Sequence, residues 1–344
     1  MLRAMLVAFV TLLAGESAIA AQRTFVSGKG VDSNACSLVA PCRSFGAAMA
    51  FTDDGGEIIA LDSAGYGPVV SLTQSFSIIA APGVYAGISV SAAADTGVYV
   101  GTATVKLSGL TIVSAGGSQG IALGGAGRLD VENCHISGFI VGVEQRAGVL
   151  NIRNSVISES TNNNQARAVD ILAGKATLDG VSIDRAAFGI VVAGNGALTV
   201  RSSTLSDVFA TGVVVSSFDN VTASLDGVAI LRTNTAASVQ QGNAGGVGQM
   251  HIVRGQIVGS GFCAICSGTT DGAAFIHVSE SLISQNFLGA SVSGNGRATV
   301  SGNTIVRNAV GLDGGNGSLY TMRDNQVRDN TNNIAGPLLP LTFD

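Results

Sequence analysis

The chain has 344 residues and a net charge of −5, with 12 % charged residues against 46 % hydrophobic ones. That balance excludes a disordered protein, which would be polar and rich in charge. The 47 Gly favour many short strands joined by tight turns. The 18 Lys and Arg are scattered along the chain rather than clustered to neutralise phosphates, so we expect no nucleic-acid partner.

Residues 1–20 have the pattern of a secretory signal peptide. Arg3 precedes an apolar stretch over residues 5–14, and small residues follow up to Ala20 in an A-x-A arrangement. A membrane-spanning helix needs ~20 apolar residues, and this stretch is much shorter. We therefore predict cleavage near Ala20, a secreted or periplasmic mature protein, and no membrane span in the mature chain.

Residues 21–56 are predicted to form an N-terminal segment with a disulfide loop and a capping helix. Cys36 and Cys42 lie in a short polar loop, where a disulfide is the natural interpretation in an oxidising compartment. Ser44 is a suitable N-cap for apolar positions at helical spacing that continue to Thr52. A short amphipathic helix here would cover the first end of a repeat structure.

The other three Cys allow several interpretations. Cys263 and Cys266 could form a disulfide, act in redox chemistry or line a strand unbonded. The last interpretation is favoured, because positions i and i+3 of a regular strand point to opposite faces and no thioredoxin-like pattern surrounds these two. Cys134 has no evident partner and is expected to be buried.

A repeat of 21 to 27 residues organises the chain between residues 57 and 336. Each unit has an apolar anchor followed, five positions later, by an aliphatic residue. The anchors are Leu107, Val131, Ile152, Leu178, Val200, Leu225, Ile252, Val278, Val300 and Met322. The fifth-position residues are Ile112, Ile136, Ile157, Ile183, Leu205, Ile230, Ile257, Ile283, Ile305 and Val327. Self-similarity at this period is typical of a solenoid, and we expect the fifth-position residues to stack as a buried column.

The units consist of short alternating runs rich in β-branched residues, without helical periodicity. Runs such as GIAL and GIVV precede the anchors, and GAG or GNG triplets between runs supply the positive φ of tight turns. In these repeats the chain resembles the right-handed parallel β-helix of the pectin-lyase-like superfamily, of the exported bacterial type, from Gly55 to Gly336. The resemblance implies an all-β solenoid of about 11–12 coils. Residues 337–344, with Pro337 and Pro340, are predicted to be a C-terminal tail.

Charged and amide residues repeat with the same period. The position after the anchor alternates in sign from unit to unit, through Glu132, Arg153, Asp179, Arg201 and Asp226. Opposite charges on neighbouring strands help to fix register, so this charge ladder is interpreted as structural. Asn133 above Asn154, and Asn303 above Asn325, are predicted to form short amide ladders.

The resemblance implies enzymes that act on acidic polysaccharides. Lyases of this superfamily hold calcium with several carboxylates beside a basic residue, and its hydrolases use an Asp cluster with His and Arg-x-Lys motifs. Neither signature occurs in this sequence, so catalytic activity is uncertain and an enzyme is not favoured.

Two weaker groups of residues remain as candidates. Glu144 and Asp170 occupy equivalent outward positions in adjacent units, so they could serve as a catalytic acid and nucleophile, bind a cation, or be neutralised by Arg146 and Arg167. His251 and His277 also stack, but no third ligand is visible. We expect solvated histidines, no metal site and no cofactor, although calcium remains possible at the carboxylates.

The function favoured by the resemblance is binding of an extended polysaccharide at the cell envelope or outside the cell. Because the chain has no Trp and only four Tyr, such a groove would depend on polar contacts. The first alternative is a structural or adhesive surface protein without a small-molecule site. The second is a divergent polysaccharide lyase or glycoside hydrolase that uses Glu144 and Asp170.

Overall fold

The computed structural model describes residues 22–92, 95–160, 165–217, 219–241 and 246–341. The predicted signal peptide, residues 1–20, lies outside the described residues. Within the described ranges, no helix has the length and apolar character needed to cross a membrane.

In the described residues, one short helix, α1 (Phe45–Met49), accompanies 34 strands. The first seventeen strands are β1 (Arg23–Val26), β2 (Gly56–Ala60), β3 (Ala64–Gly65), β4 (Val69–Leu72), β5 (Phe76–Ala80), β6 (Ala86–Val90), β7 (Thr96–Val100), β8 (Thr104–Ser108), β9 (Leu110–Ser114), β10 (Gln119–Leu123), β11 (Arg128–Glu132), β12 (His135–Ser137), β13 (Val141–Gln145), β14 (Val149–Arg153), β15 (Val156–Ser160), β16 (Arg167–Asp179) and β17 (Ser182–Ala186). The remaining strands are β18 (Phe188–Arg201), β19 (Thr204–Ser206), β20 (Thr211–Ser217), β21 (Val221–Asp226), β22 (Ala229–Leu231), β23 (Thr235–Gln241), β24 (Val247–Val253), β25 (Gln256–Val258), β26 (Cys263–Ser279), β27 (Leu282–Ser284), β28 (Leu288–Ser301), β29 (Thr304–Val306), β30 (Val310–Asp313), β31 (Ser318–Thr321), β32 (Gln326–Arg328), β33 (Asn332–Ala335) and β34 (Leu339–Pro340).

The strands form two parallel sheets that wind as a solenoid. One sheet has 22 strands and the other has 12, one for each coil. The larger sheet bends into two faces, which we call the front face (through β10, β13, β20 and β23) and the side face (through β11, β14, β21 and β24). The 12-stranded sheet is the back face. The predicted all-β, right-handed parallel β-helix is therefore confirmed.

A column of aliphatic residues runs through the back face, as the repeat predicted. Each fifth-position residue pairs in register with its equivalent in the next coil, from Ile112 to Val327. All are buried except Val327, which is partly exposed at the last coil. Burial of each side chain contributes on the order of 1.5–3 kcal/mol of transfer free energy before the entropy of folding is subtracted.

The anchors form a second column on the side face, with one error in the sequence assignment. Consecutive anchors pair in register from Leu107 to Val300. In the last coil, however, Val300 lies opposite Thr321 and not opposite Met322. The prediction of Met322 as an anchor was wrong because hydrophobicity, and not the strand register, selected it.

Glycines stand near the start of several front-face strands, because the front and back faces approach each other closely there. A Cβ added to Gly142 would lie 2.6 Å from the carbonyl oxygen of Ala168 and 2.8 Å from Cγ2 of Ile157. Gly189 meets the same obstruction from Gly212 and Leu205 in a later coil. The aliphatic column of the back face thus reaches the start of each front strand, where only the smallest residues fit.

The charge ladder of the side face is in register, but its members form ion pairs both with one another and with residues outside the ladder. Glu132, Arg153, Asp179, Arg201 and Asp226 follow one another in register. Glu132 forms ion pairs with Arg153 at 3.1 Å and with Lys106 at 2.7 Å, and Asp226 pairs with Arg254 of the following turn. These pairs are partly exposed, so each contributes only ~0.2–1 kcal/mol and they align coils more than they stabilise them.

Amide ladders occupy the turns at both ends of the back strands. The Asn303 amide nitrogen donates to Asn325 Oδ1 at 2.9 Å, as predicted. A second ladder that the sequence analysis missed joins Asn286, Asn308 and Asn330 through bonds of 3.0 and 2.9 Å. Asn133 and Asn154 were predicted to stack in the same way, but both are exposed at bends with positive φ.

The N-terminal segment adds a strand and a short helix to the solenoid. Strand β1 pairs in parallel with β2, and a disulfide joins Cys36 to Cys42. Helix α1 begins after Ser44, whose hydroxyl accepts a hydrogen bond from the Ala47 amide at 3.2 Å. The helix has 5 residues and ends before the predicted Thr52. At the other end of the chain, β34 still pairs with β31 of the side face.

The aliphatic column gives a direct test of the fold. Replacement of Ile157, which is fully buried, by Ala should lower the free energy of unfolding by about 2–5 kcal/mol, because it removes apolar contacts and leaves a cavity. Val156, its neighbour on the same strand, is 40 % exposed, so Val156→Ala should stay within ~0.5 kcal/mol of the wild type. Urea unfolding of both variants measures the difference, and equal losses would contradict the assigned faces.

Candidate functional site

On the front face, one outward-facing position of each coil is in register with its equivalents in the neighbouring coils, and these residues form a continuous row. In order along the solenoid the front row is Tyr99, Ala122, Glu144, Asp170, Val191, Val214, Ser238, Cys266, Ser291 and Asp313. Coils are spaced ~4.8 Å apart. The row therefore brings together side chains that are far apart in sequence, and it changes character from charged to apolar to hydroxyl-bearing.

A bend in each front strand places residues i and i+3 on the same outer side. Ala168 and Val169 are consecutive and both fully buried, which interrupts the normal alternation of a strand. As a result Arg167 and Asp170, three residues apart, face outward together, and the Arg167 guanidinium donates to Asp170 Oδ2. This bend is the local feature that brings the Arg167 and Asp170 side chains together.

Glu144 and Asp170 lie opposite each other in adjacent coils, as the sequence predicted from their equivalent positions. Only 5 % of Glu144 and 4 % of Asp170 is exposed. Two carboxylates are thus packed side by side on an outer face with little access to bulk water. Such a pair requires compensating donors, because an unpaired charge away from water is costly.

Glu144 receives a donor on each carboxylate oxygen. The Arg146 side chain donates to Oε1, and the Gln119 amide donates to Oε2. The Gln119 carbonyl oxygen in turn accepts from the Thr96 hydroxyl at 3.0 Å, which extends the network across three coils. The Glu144 carboxylate raises the pKa of Arg146, so the guanidinium remains a permanent cation beside it.

Only one of the two carboxylate oxygens of Asp170 accepts a hydrogen bond among the described residues. Its Oδ2 is bound by Arg167, whereas its buried Oδ1 has no hydrogen-bond partner among the described residues. Burial raises the pKa of the Asp170 carboxyl above 3.8, and the charge of Glu144 adds to that rise while Arg167 opposes it. The pair therefore combines a carboxylate with two donors and a neighbour that retains its proton more readily.

The donor set of this pair does not fit calcium. Calcium takes 6–8 oxygen ligands, mostly carboxylates and carbonyls, but three of the four carboxylate oxygens here are engaged by Arg or Gln donors. Among the described residues, no cluster of three or more His, Cys, Asp or Glu could hold a metal ion. No step that depends on calcium follows from this arrangement.

A cleft lies further along the same front face. It has a volume of about 600 Å³ and spans the three coils that contribute Ser238, Cys266 and Ser291 to the front row. Most of its lining residues carry hydroxyl groups: Thr235, Ser238, Ser267, Thr269, Ser291 and Ser293. Asp170 is three coils from Ser238, roughly 14 Å away along the axis. The cleft and the carboxylate pair are thus separate regions of the front row.

Three exposed phenylalanines lie beside front strands, and the sequence analysis missed them. Phe209, Phe262 and Phe287 are 52 %, 51 % and 54 % exposed, and each lies in the turn that precedes a front strand. Phe262 lines the cleft. The signal was present in the sequence, because Phe262 and Phe287 stand immediately before the start of consecutive front strands, but only Trp and Tyr had been considered as sugar-binding rings.

The structure overturns the favoured interpretation of Cys263 and Cys266, which are joined by a disulfide. The two residues are in register with Thr235 and Ser238, in the positions that Arg167 and Asp170 occupy in an earlier coil. The strand bend explains the error, because Ala264 and Ile265 are both buried and turn positions i and i+3 to one side. Cys134 is buried without a disulfide partner, as expected.

His251 and His277 form a separate, smaller group on the side face. Their ring centroids are 6.0 Å apart, and a shallow cleft of about 230 Å³ beside them includes Phe275 and Arg297. Burial lowers the pKa of His277, and the charge of His251 lowers it further. His277 is thus partly buried rather than fully solvated, in contrast to the expectation.

Comparisons with known proteins identify the fold. No protein-family model and no curated protein matches this sequence. Among solved structures, the pectate lyase Pel9A is similar with a TM-score of 0.54 and 16 % identity over 91 % of this chain and 80 % of that chain. A GH136 lacto-N-biosidase from Eubacterium ramulus is similar with a TM-score of 0.44 and 10 % identity over 92 % and 67 % of the two chains. At these identities the likeness to Pel9A shows a shared right-handed parallel β-helix.

The Asp170 carboxyl should reduce stability at neutral pH. Because the folded protein holds this proton more tightly than the unfolded chain, the free energy of unfolding falls as pH rises from 3.8 through the higher folded pKa. Asp170→Asn mimics the protonated group, so we expect it to be more stable than the wild type at pH 7. The gain should vanish below about pH 4 in urea unfolding.

Asp207 provides a control in which the pKa shift, and therefore the expected change in stability at pH 7, has the opposite sign. Its bond to Arg232 lowers the pKa of the carboxyl, so Asp207→Asn should lose stability at pH 7 and not below its folded pKa. If Asp170→Asn also lost stability at pH 7, the Asp170 carboxylate would stabilise the fold as a member of an ion-pair network. It would then not be a group whose burial lowers the free energy of unfolding.

Proposed function

We propose that this protein binds an extended polysaccharide along its front face. The observation that carries the proposal is the front row, which runs in register from the carboxylate pair to the hydroxyl-lined cleft over several coils. The surface along this row is the proposed binding groove. A linear polymer can contact equivalent positions of successive coils, because both the ligand and the solenoid repeat along one axis. Binding sites are also typically concave, with a few well-placed polar groups.

The shared fold supports this proposal by analogy only. The similar structure with the higher TM-score is a pectate lyase, a protein named for action on a polysaccharide. Folds host many functions, so the argument for this chain rests on its own groove and not on that name.

We also propose that the protein acts outside the cytoplasm. The two disulfides, Cys36–Cys42 and Cys263–Cys266, are typical of proteins in oxidising compartments. The signal-peptide pattern of residues 1–20 supports the same location. Secretion or release into the periplasm would place the groove where extended polysaccharides occur.

Asp170 supports a second candidate function, cleavage of the bound polymer. A carboxyl group with a raised pKa next to a carboxylate that accepts two donors is the pairing used by glycoside hydrolases. In such a reaction Asp170 would protonate the leaving oxygen and Glu144 would act as the nucleophile. Against this function, both side chains are almost fully buried, so a polymer would have to displace Arg146 or Arg167 to reach them.

Light scattering after size exclusion separates these functions. The mature protein, incubated with acidic and neutral polysaccharides, should elute together with polymer of unchanged mass if it is a binding protein. A fall in polymer mass that Glu144→Gln and Asp170→Asn both abolish would establish the hydrolase instead. Glu159→Gln, at an ion pair with 57 % exposure of the carboxylate side chain, is the matched control and should change neither result.

Calcium removal gives a further test in the same experiment. Because three of the four carboxylate oxygens are already engaged by Arg or Gln donors, EDTA should leave co-elution unchanged. Binding that required added calcium would contradict the assigned donor set. If no polysaccharide co-eluted, the proposal would be replaced by the structural or adhesive alternative.

A further inference from the structure

The hydroxyl-lined cleft and its aromatic edge indicate which class of polysaccharide the groove accepts. We propose that the cleft between the coils of Ser238 and Ser291 is a subsite for a neutral sugar, whose apolar ring face lies on Phe262. This inference rests on the proposed function, and it goes further by naming the chemistry of the ligand and the residue that selects it.

The charge of the cleft excludes an acidic sugar as the preferred ligand. Among the cleft-lining side chains that the structure describes, none is an Arg, Lys or His that would pair with a carboxylate. Beyond the cleft in one direction, the Ser291 hydroxyl donates to Asp313 Oδ2 at 3.2 Å. In the other direction lie Glu144 and Asp170, whose cations are already paired. A uronate here would lose hydration without gaining a counter-ion.

The polar atoms of the cleft suit hydroxyl groups. Ser238 Oγ accepts from the Gln240 amide at 3.1 Å, which leaves the hydroxyl hydrogen of Ser238 and the second amide hydrogen of Gln240 to serve a ligand. A purely apolar ligand would bury such groups without replacing their hydrogen bonds with water, which costs free energy. A neutral sugar offers hydroxyls that both donate and accept.

The backbone at Gly268 keeps the floor of the cleft open. A Cβ added there would lie 2.5 Å from Oγ of Ser293, in the adjacent coil. The Ser293 side chain occupies this space, so a larger residue at Gly268 would displace it and fill part of the cleft. The open floor lets a ring approach the hydroxyls on either side.

The exposed rings of Phe262 and Phe287, which we call the phenylalanine edge, could hold a neutral sugar without an ion pair. Phe262 is 51 % exposed beside the cleft, and Phe287 of the next coil is 54 % exposed. Each exposed ring leaves apolar surface in water, and a ligand that covered this surface would gain the free energy of its burial. A pyranose ring presents an apolar C–H face that can cover such a ring, while its hydroxyls point to the polar floor. The two rings in successive coils follow the axis along which the polymer would extend.

Affinity electrophoresis and calorimetry with defined polymers test this proposal. The probes are neutral xylan, β-glucan, galactan and glucomannan, with polygalacturonate and alginate as acidic counterparts. We expect binding to at least one neutral polymer and none of comparable strength to the acidic ones. Phe262→Ala should weaken the neutral complex about tenfold, or ~1.4 kcal/mol, whereas Phe262→Tyr should keep the affinity.

Phe51→Ala is the matched control, because Phe51 is 46 % exposed near helix α1, at the opposite end of the solenoid. It should leave the affinity unchanged, and both Phe variants should keep the wild-type melting temperature. A Phe262→Ala protein that bound neutral polymer as tightly as the wild type would overturn the subsite.

Preferential binding of an acidic polymer would overturn the neutral-sugar assignment while leaving polysaccharide binding intact. Absence of binding to every polymer would overturn both. Capture of a protein partner at the Phe262 edge, with loss of capture in Phe262→Ala, would assign the edge to protein recognition instead.

Discussion

The parallel stacking of coils, ~4.8 Å apart, is the constraint on which the rest of the structure depends. Every backbone amide in a strand must find its partner in the coil above or below, so each coil has to present the same side chain shapes at the same places. The aliphatic column from Ile112 to Val327 satisfies this requirement in the core. The Asn286–Asn308–Asn330 ladder satisfies it at a turn, because each amide bonds both to its equivalent and to backbone carbonyl groups.

One local deviation from ideal strand geometry builds the functional face. Two consecutive buried residues at the start of each front strand bring positions i and i+3 to the same outer side. The same device produces the Arg167–Asp170 ion pair in one coil and the Cys263–Cys266 disulfide four coils later. Stacking then aligns these pairs with their neighbours, so that Glu144 meets Asp170 and Cys266 lies between Ser238 and Ser291. The groove is therefore a consequence of the repeat, and its chemistry varies because outward positions are free to vary.

The sequence was sufficient for the fold because burial selects residues at a fixed period. Leu, Ile and Val at the anchor and fifth positions predicted the solenoid, and the opposition of Glu144 and Asp170 followed from the same alignment. The failures have equally specific causes. Met322 was misplaced because hydrophobicity, and not the strand register, selected it. The Cys263–Cys266 disulfide was missed because an ideal strand was assumed. Phe262 was missed because only Trp and Tyr were considered as sugar-binding rings, although its place directly before a front strand could be read from the repeat. The Asp170 oxygen that has no partner among the described residues depends on side-chain packing, which the local sequence does not encode.

Hydroxyl-radical footprinting of the protein with a bound polysaccharide tests the location of the site most directly. Exposed aromatic rings are oxidised in the free protein, and mass spectrometry reports which of them the polymer covers. We expect the polymer to protect Phe262 and Phe287 from oxidation. Oxidation of Phe51 and Tyr85, which are exposed near the N-terminal end, should be unchanged. Protection of Val156 and Leu282, which are exposed on the back face, with no change at Phe262 would contradict this expectation and move the binding surface to the opposite side of the solenoid.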